Sequence, residues 1–306
     1  MTSSTSGLVI SSGVFFEVDS PSVVDTTVLN QGFLILRNSG VASHTIVSAG
    51  GDEDLNGGST QSISAVILAG GGQDLVGGTI SSATIFGRQN GAFGTIVDTI
   101  VSSGGMQVLS GGGTALRTKV ESGGEAFVRH GWVLSGGIAD GGLIGVVGGT
   151  ASHTTVSSGG FEFLSANGVS VSATILGSGQ EFVAAGGTAS FTTVSSGGTL
   201  TVVAGGVSVS ATILDGAQEA VSAGGVASAT TVSSGGMLGV SSGGSAVFAT
   251  VSAGGVENVS SGGIVTSTTI ASGGVEQSKR VQPISSRRSA TAATSSWVPA
   301  VPPAGR

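Results

Sequence analysis

Two kinds of side chain recur where they could do chemistry. Ser157, Ser158, Ser195, Ser196, Ser233, Ser234 and Ser252 follow an apolar residue by one or two positions and run into a Gly-Gly pair. Glu53, Glu162, Glu181, Glu219, Glu257 and Glu276 stand six residues after the same apolar position, with Gln73 and Gln107 in that place twice. Hydroxyls on a repeated turn can carry sugars or hydrogen-bond them. A row of carboxylates suits cations, because Ca²⁺ takes oxygen ligands. Strand alternation would point these Glu side chains the same way as the apolar residue two later, into an interior. Like charges stacked there repel, and a buried unpaired carboxylate is costly. The expectation is therefore a bend or an exposed corner. Asp52-Glu53-Asp54 reads as a solvated acid cluster in a turn.

Catalysis finds no support. The three His are His44, His130 and His153, and the first and last fall at the same place in a repeat. No HExxH, Walker A or GxSxG pattern occurs, since each Ser-Gly-Gly is a turn. The Gly-rich calcium nonapeptide is absent too: GGGQDL (70–75) approaches it and fails. The chain is expected not to be an enzyme and to need no cofactor or metal.

The elements that must position these residues follow from a repeat. Gly makes up 57 of the 306 residues, where a typical share is roughly 7%. Ordinary helical domains are excluded, because Gly costs about 1 kcal/mol per helix-interior position. Apolar anchors fall at Val9, Val28, Val47, Ile67, Ile85, Val101 and Val120, then at Val156, Ile175, Val194, Ile213, Val232, Val251 and Ile270. Every interval in the second set is 19 residues; in the first they are 19, 19, 20, 18, 16 and 19. A degenerate unit around 131–149 fills the gap between the sets. A second apolar column lies eight residues after each anchor, from Leu36 through Phe93 to Val259, with Glu17 and Ser278 as exceptions at the two ends. Gly pairs follow both columns and read as tight turns, because Gly adopts positive φ without steric cost. One such unit cannot bury its apolar residues, but a stack can. The fold class is all-β: a parallel β-helix, or β-solenoid, of about fifteen 19-residue rungs over residues 1–278. The Thr residues that precede the anchors, such as Thr155, Thr193 and Thr231, would line an outer face.

Residues 279–306 hold four of the five Pro and five basic residues without an acid. They read as a disordered basic tail. The body carries all 17 acids against 5 basic residues, a net charge of −12. Nucleic acid is not an expected partner, since phosphate contacts need a basic footprint. No apolar run is long enough for a membrane helix. The first residues lack the basic and apolar regions of a signal peptide, and no series of barrel strands follows the repeats.

HTTVSSGGFEFLSANG (153–168), ASATTVSSGGMLGVSSGG (227–244) and STTIASGGVE (267–276) resemble the passenger repeats of AIDA-type autotransporter adhesins. The resemblance covers about residues 5–278. It implies a right-handed β-helix on a bacterial surface or secreted, acting in adhesion, autoaggregation or biofilm. It also implies sugar on Ser, added by a partner glycosyltransferase, with the seven serines above as the matching positions. Partners would be glycans, a host surface or further copies of the chain. The alternatives are an orphan repeat fragment without export and barrel modules, and a cation-binding or ice-binding solenoid. Leu176 and Leu214 interrupt the Ser column and weigh against ice.

Overall fold

A computed structural model describes residues 5–20, 22–195 and 197–278, together with the backbone of 288–289 and 294–297. The described residues are all strand and turn: a parallel β-solenoid of about fourteen turns. The chain divides into two compact units, Met1–Thr155 and Val156–Arg306.

The second unit shows the rule. One rung runs through Thr193–Val194, Thr199–Val202 and Val207–Val209. These strands pair in parallel with Thr212–Ile213, Gln218–Val221 and Val226–Ser228 in the next rung, each partner 19 residues on. Three strand columns thus enclose a core. Alternation sends Val194, Leu200, Val202 and Ser208 inward, all fully buried, and leaves Thr193, Thr199 and Thr201 half-buried on the outside. Each rung is thinner than a folding unit, so its apolar residues lose water only against the rungs above and below.

Two corners are Gly turns, and the two glycines of a pair have different tasks. Gly197 has φ +82°, open to Gly at no cost. The amide of Gly198 donates to the carbonyl of Ser195 at 3.0 Å and closes the turn. Gly198 itself points into the core, where a Cβ would lie 2.7 Å from the carbonyl oxygen of Ile175. The third corner has no Gly requirement in the sequence, yet its residue is left-handed in rung after rung. Ser172, Phe191, Ser210, Ala229, Phe248 and Ser267 have φ of 56–59°. His44 and His153 stand at this corner too, exposed, with φ of 54° and 52°. Their shared place in the repeat is therefore a backbone corner.

The first unit follows the same plan with irregularities. Ala139 pairs with Val120 and anchors the degenerate unit. The expected first anchor is displaced by one. Ile10, not Val9, pairs with Val28; Ile10 is buried and Val9 exposed. Val18 then stands opposite Leu36 in the second column, and Glu17 lies outside, ion-paired with Arg37 at 3.2 Å. The exception at the N-terminal end vanishes; the one at Ser278, opposite Val259, stays. Phe93 also departs from its expected inward place. Gly91 pairs with both Leu75 and Leu109, while Phe93 is exposed. Trp132 fills the missing volume: its indole lies 2.8 Å from where a Cβ of Gly91 would be, and its Nε1–H donates to the carbonyl of Ala92 at 3.3 Å.

Of residues 279–306, Arg288–Ser289 and Thr294–Trp297 are strands in parallel register with Thr269–Ile270 and Val275–Ser278. The remaining residues of that stretch, and with them the expectation of a disordered tail, lie outside the described residues.

Candidate functional site

The serine turns form one outward row in the second unit. Ser157, Ser195, Ser233 and Ser252 open their turns, half-buried, and their carbonyls accept from the second Gly of the pair at 2.7–3.0 Å. Ser158 and Ser234 occupy the tip and are exposed. Ser196 lies outside the described residues. The ladder that spaces these turns runs through backbone: Gly197 N–H donates to Gly216 O at 3.0 Å, Gly216 to Gly235 at 3.1 Å, and Gly235 to Gly254 at 2.9 Å. A second corner repeats the chemistry. Ser241-Ser242 and Ser260-Ser261 precede Gly pairs in the same turn geometry and are exposed. The signal for them was the same Ser-Ser-Gly-Gly tetrapeptide, eight residues after the first.

The glutamate column corrects the expectation of an exposed corner. Glu53, Glu162, Glu181, Glu219 and Glu257 are fully buried, and Glu276 nearly so. Hydroxyl and amide donors offset part of the cost by reaching one oxygen, Oε2, of Glu53, Glu181 and Glu219, while Oε1 of each is buried without a hydrogen bond. Thr192 donates to Glu181 Oε2 at 2.9 Å, Thr230 to Glu219 Oε2 at 2.7 Å, and Ser62 to Glu53 Oε2 at 2.9 Å. In the first unit the polar column becomes a chain: Gln107 donates to Gln89, Gln89 to Gln73, and Gln73 to Glu53, at 2.6, 2.7 and 2.6 Å. Gln89 belongs to the column but stands only four residues after Ile85, because that rung is short. Burial is the first cause that raises Glu53, Glu181 and Glu219 above the ordinary carboxylate range. Glu181 reaches about 8, with the Glu162 carboxylate in the adjoining rung as the second cause. These side chains are the polar filling of a core.

Asp52-Glu53-Asp54 is a strand, Asp52–Asn56, and not a turn. Asp52 and Asp54 face outward, half-buried, with Asp74 of the next rung; their carboxylate oxygens come within 4.8 Å of one another. The Arg88 guanidinium sits 3.9 Å from Asp52 and 3.7 Å from Asp74. Burial first, then Asp52 and Asp74, push Asp54 up to about 6. Among the described residues no other group of three such ligands comes together. None of the three His belongs to such a group.

No family model matches the chain, and no curated protein matches it. Among solved structures, the chain is similar to a TibC-catalysed, hyper-glycosylated fragment of TibA, with 27% identity and a TM-score of 0.73 over 96% of this chain and 99% of that one. The Dettilon tailspike protein gp208 aligns at 12% identity and a TM-score of 0.25 over 82% of this chain and 60% of that one, too low to carry an argument. Fold and turn geometry define an all-β, parallel-solenoid repeat protein. Its similarity to the TibA fragment supports an adhesin-like repeat protein.

Proposed function

We propose that the chain is an adhesin-like repeat protein whose serine turns are glycosylated, and that it works by presenting many weak, equal contacts at a surface. Avidity suits such a scaffold, because linked copies of one weak contact bind far more tightly than one. The observation that carries this reading is the likeness to a fragment that is itself hyper-glycosylated, joined to serines held at matching turn positions. Ser158 and Ser234 at exposed tips are the first acceptors, and Ser157, Ser195, Ser196, Ser233 and Ser252 follow. The partners in this reading are a glycosyltransferase, and glycans, a host surface or further copies of the chain. The location is the cell surface or outside the cell. No catalytic role is part of it.

The test is the intact mass of the chain purified from its native host, with protease treatment of intact cells. Added hexose or heptose masses that fall when Ser158 and Ser234 are both changed to Ala, on a chain that protease removes from whole cells, support the reading. A chain of the unmodified 29.2 kDa that intact cells protect overturns it and leaves the orphan-fragment account.

A further inference from the structure

The turn ladder of the first unit has a gap. Gln31 N–H donates to Gly50 O at 2.7 Å, and Gly50 N–H to Gly70 O at 2.8 Å. The ladder resumes only at Gly104, whose N–H donates to Gly123 O at 2.9 Å. The rung between them is short. Ile67 and Gln73 are joined by Leu-Ala-Gly-Gly-Gly, whereas Ile85 and Gln89 are joined by Phe-Gly-Arg. Two residues are missing, and they are the ones that would form the turn tip. Throughout the ladder N–H groups point toward the next rung and carbonyls toward the previous one. Gly70 N–H and Gly104 C=O therefore face each other across the empty place, and no partner for either is present among the described residues.

The space is a notch of about 520 Å³, within the roughly 300–1,000 Å³ of small-molecule sites. Its walls are of two kinds. Phe86 and Met106 are 38% and 37% exposed and form an apolar side. Asp52 and Arg88 form a polar side of mixed charge. An anion would meet the Asp52 group, and a cation would meet Arg88. A donor on one wall and an acceptor on the other ask for a neutral ligand that can both accept and donate. One hydrogen bond and one rung separate the Gly70 amide from the Gly104 carbonyl, about 7.6 Å. Two bonds of about 2.8 Å leave about 2 Å along the axis, the reach of two hydroxyls on adjacent carbons set aslant. The apolar wall asks for a face of C–H groups.

We infer that this notch is a binding site for one hexopyranose unit of a glycan, which takes the place of the missing turn. Its vicinal hydroxyls accept from Gly70 N–H and donate to Gly104 C=O. The ring's C–H face rests on Phe86, and Asp52 and Arg88 bind its remaining hydroxyls. The site needs no sugar attached to the chain itself, so failure of the glycosylation reading leaves it standing.

The experiment is a titration of the full ¹⁵N-labelled chain with the methyl glycosides of glucose, galactose, mannose and N-acetylglucosamine, following backbone amides by NMR. The expected result is a saturable shift of the Gly70 amide with at least one of them, at a millimolar Kd. Phe86→Ala should weaken that Kd about tenfold. Inserting Ala-Gly between Phe86 and Gly87 recreates the neighbouring turn sequence and should abolish the shift, with the other amide signals retained as proof of folding. If no glycoside moves Gly70 in the wild-type chain, or if the shift survives the insertion, the inference is wrong.

Discussion

Raising the pH should loosen the second unit by a predictable amount, because the core holds carboxyls in their protonated form. Glu181 is the sharpest case. It is buried, opposes Glu162 in the adjoining rung, and takes one hydrogen bond from Thr192. Its folded pKa is about 8 against an ordinary 4.5. The folded chain therefore binds a proton that the unfolded chain has released throughout this window. The stabilisation is complete below pH 4.5 and is lost as the pH climbs toward 8, at about 1.4 kcal/mol per unit. Over the window the loss, shared by the facing Glu162 and Glu181 carboxyls, is of the order of a few kcal/mol, large against a domain stability of about 5–15 kcal/mol. Urea denaturation of the full chain at pH 5, 6, 7, 8 and 9, followed by circular dichroism, measures it. Glu181→Gln keeps the shape and an acceptor for Thr192 but cannot ionise, so its urea midpoint should fall much less between pH 5 and 8. A wild-type midpoint that stays level or rises over that range refutes the reasoning. So does a variant whose slope equals that of the wild type.

Other outcomes follow from the rung geometry. Val202→Asp places an uncompensated charge between Val183 and Val221 and should cost more than about 3 kcal/mol. Thr193→Ala on the outer face should stay within about 0.5 kcal/mol in the same urea melts; equal losses would mean the strand faces are misassigned. Gly198→Ala meets the Ile175 carbonyl and should destabilise more than Gly197→Ala, whose cost is the roughly 1–2 kcal/mol of a left-handed residue with a side chain. Trp132→Ala empties the space beside Gly91 and should cost about 3–5 kcal/mol, read as a lower melting temperature. Ala229→Gly at the left-handed corner should be neutral or stabilising by up to about 1 kcal/mol; a clear loss would show that this corner is not strained.

Most of the architecture is legible because the repeat is covalent. The anchors after the first rung, the second column and both Gly pairs are read directly from spacing, and the solenoid follows from burying them. What spacing cannot decide is local. A one-residue slip at Val9 and Ile10 is invisible where both residues are apolar, and the structure resolves it through pairing with Val28. The shortened rung hides Gln89 and puts Phe93 in a column that Gly91 occupies, because counting from Ile85 presumes a full turn. The inward glutamates escape the sequence for a physical reason: a buried carboxylate is tolerable only beside donors, and spacing does not show which hydroxyls turn inward. Thr192 and Thr230, two residues before their anchors, are those donors. In the sequence they look like neighbours of the outer Thr column. Of the candidate serines, the row and its turn are legible. The second serine corner follows the other apolar column, so matching positions to the anchor does not reach it.

The strict 19-residue register of the second unit has a genetic consequence. Since its strands and turns meet the residue 19 positions away, unequal crossing-over within the coding repeat would delete or add whole rungs, and because Glu181, Leu200, Glu219, Leu238 and Glu257 alternate inside the core, steps of two rungs keep every inward pairing. The Ile175–Val194 and Ile213–Val232 pairs of rungs, 38 residues apart, are such a two-rung unit and its copy. Length in this chain is thus a trait that recombination can change in discrete steps, leaving the fold intact and only the number of displayed turns different.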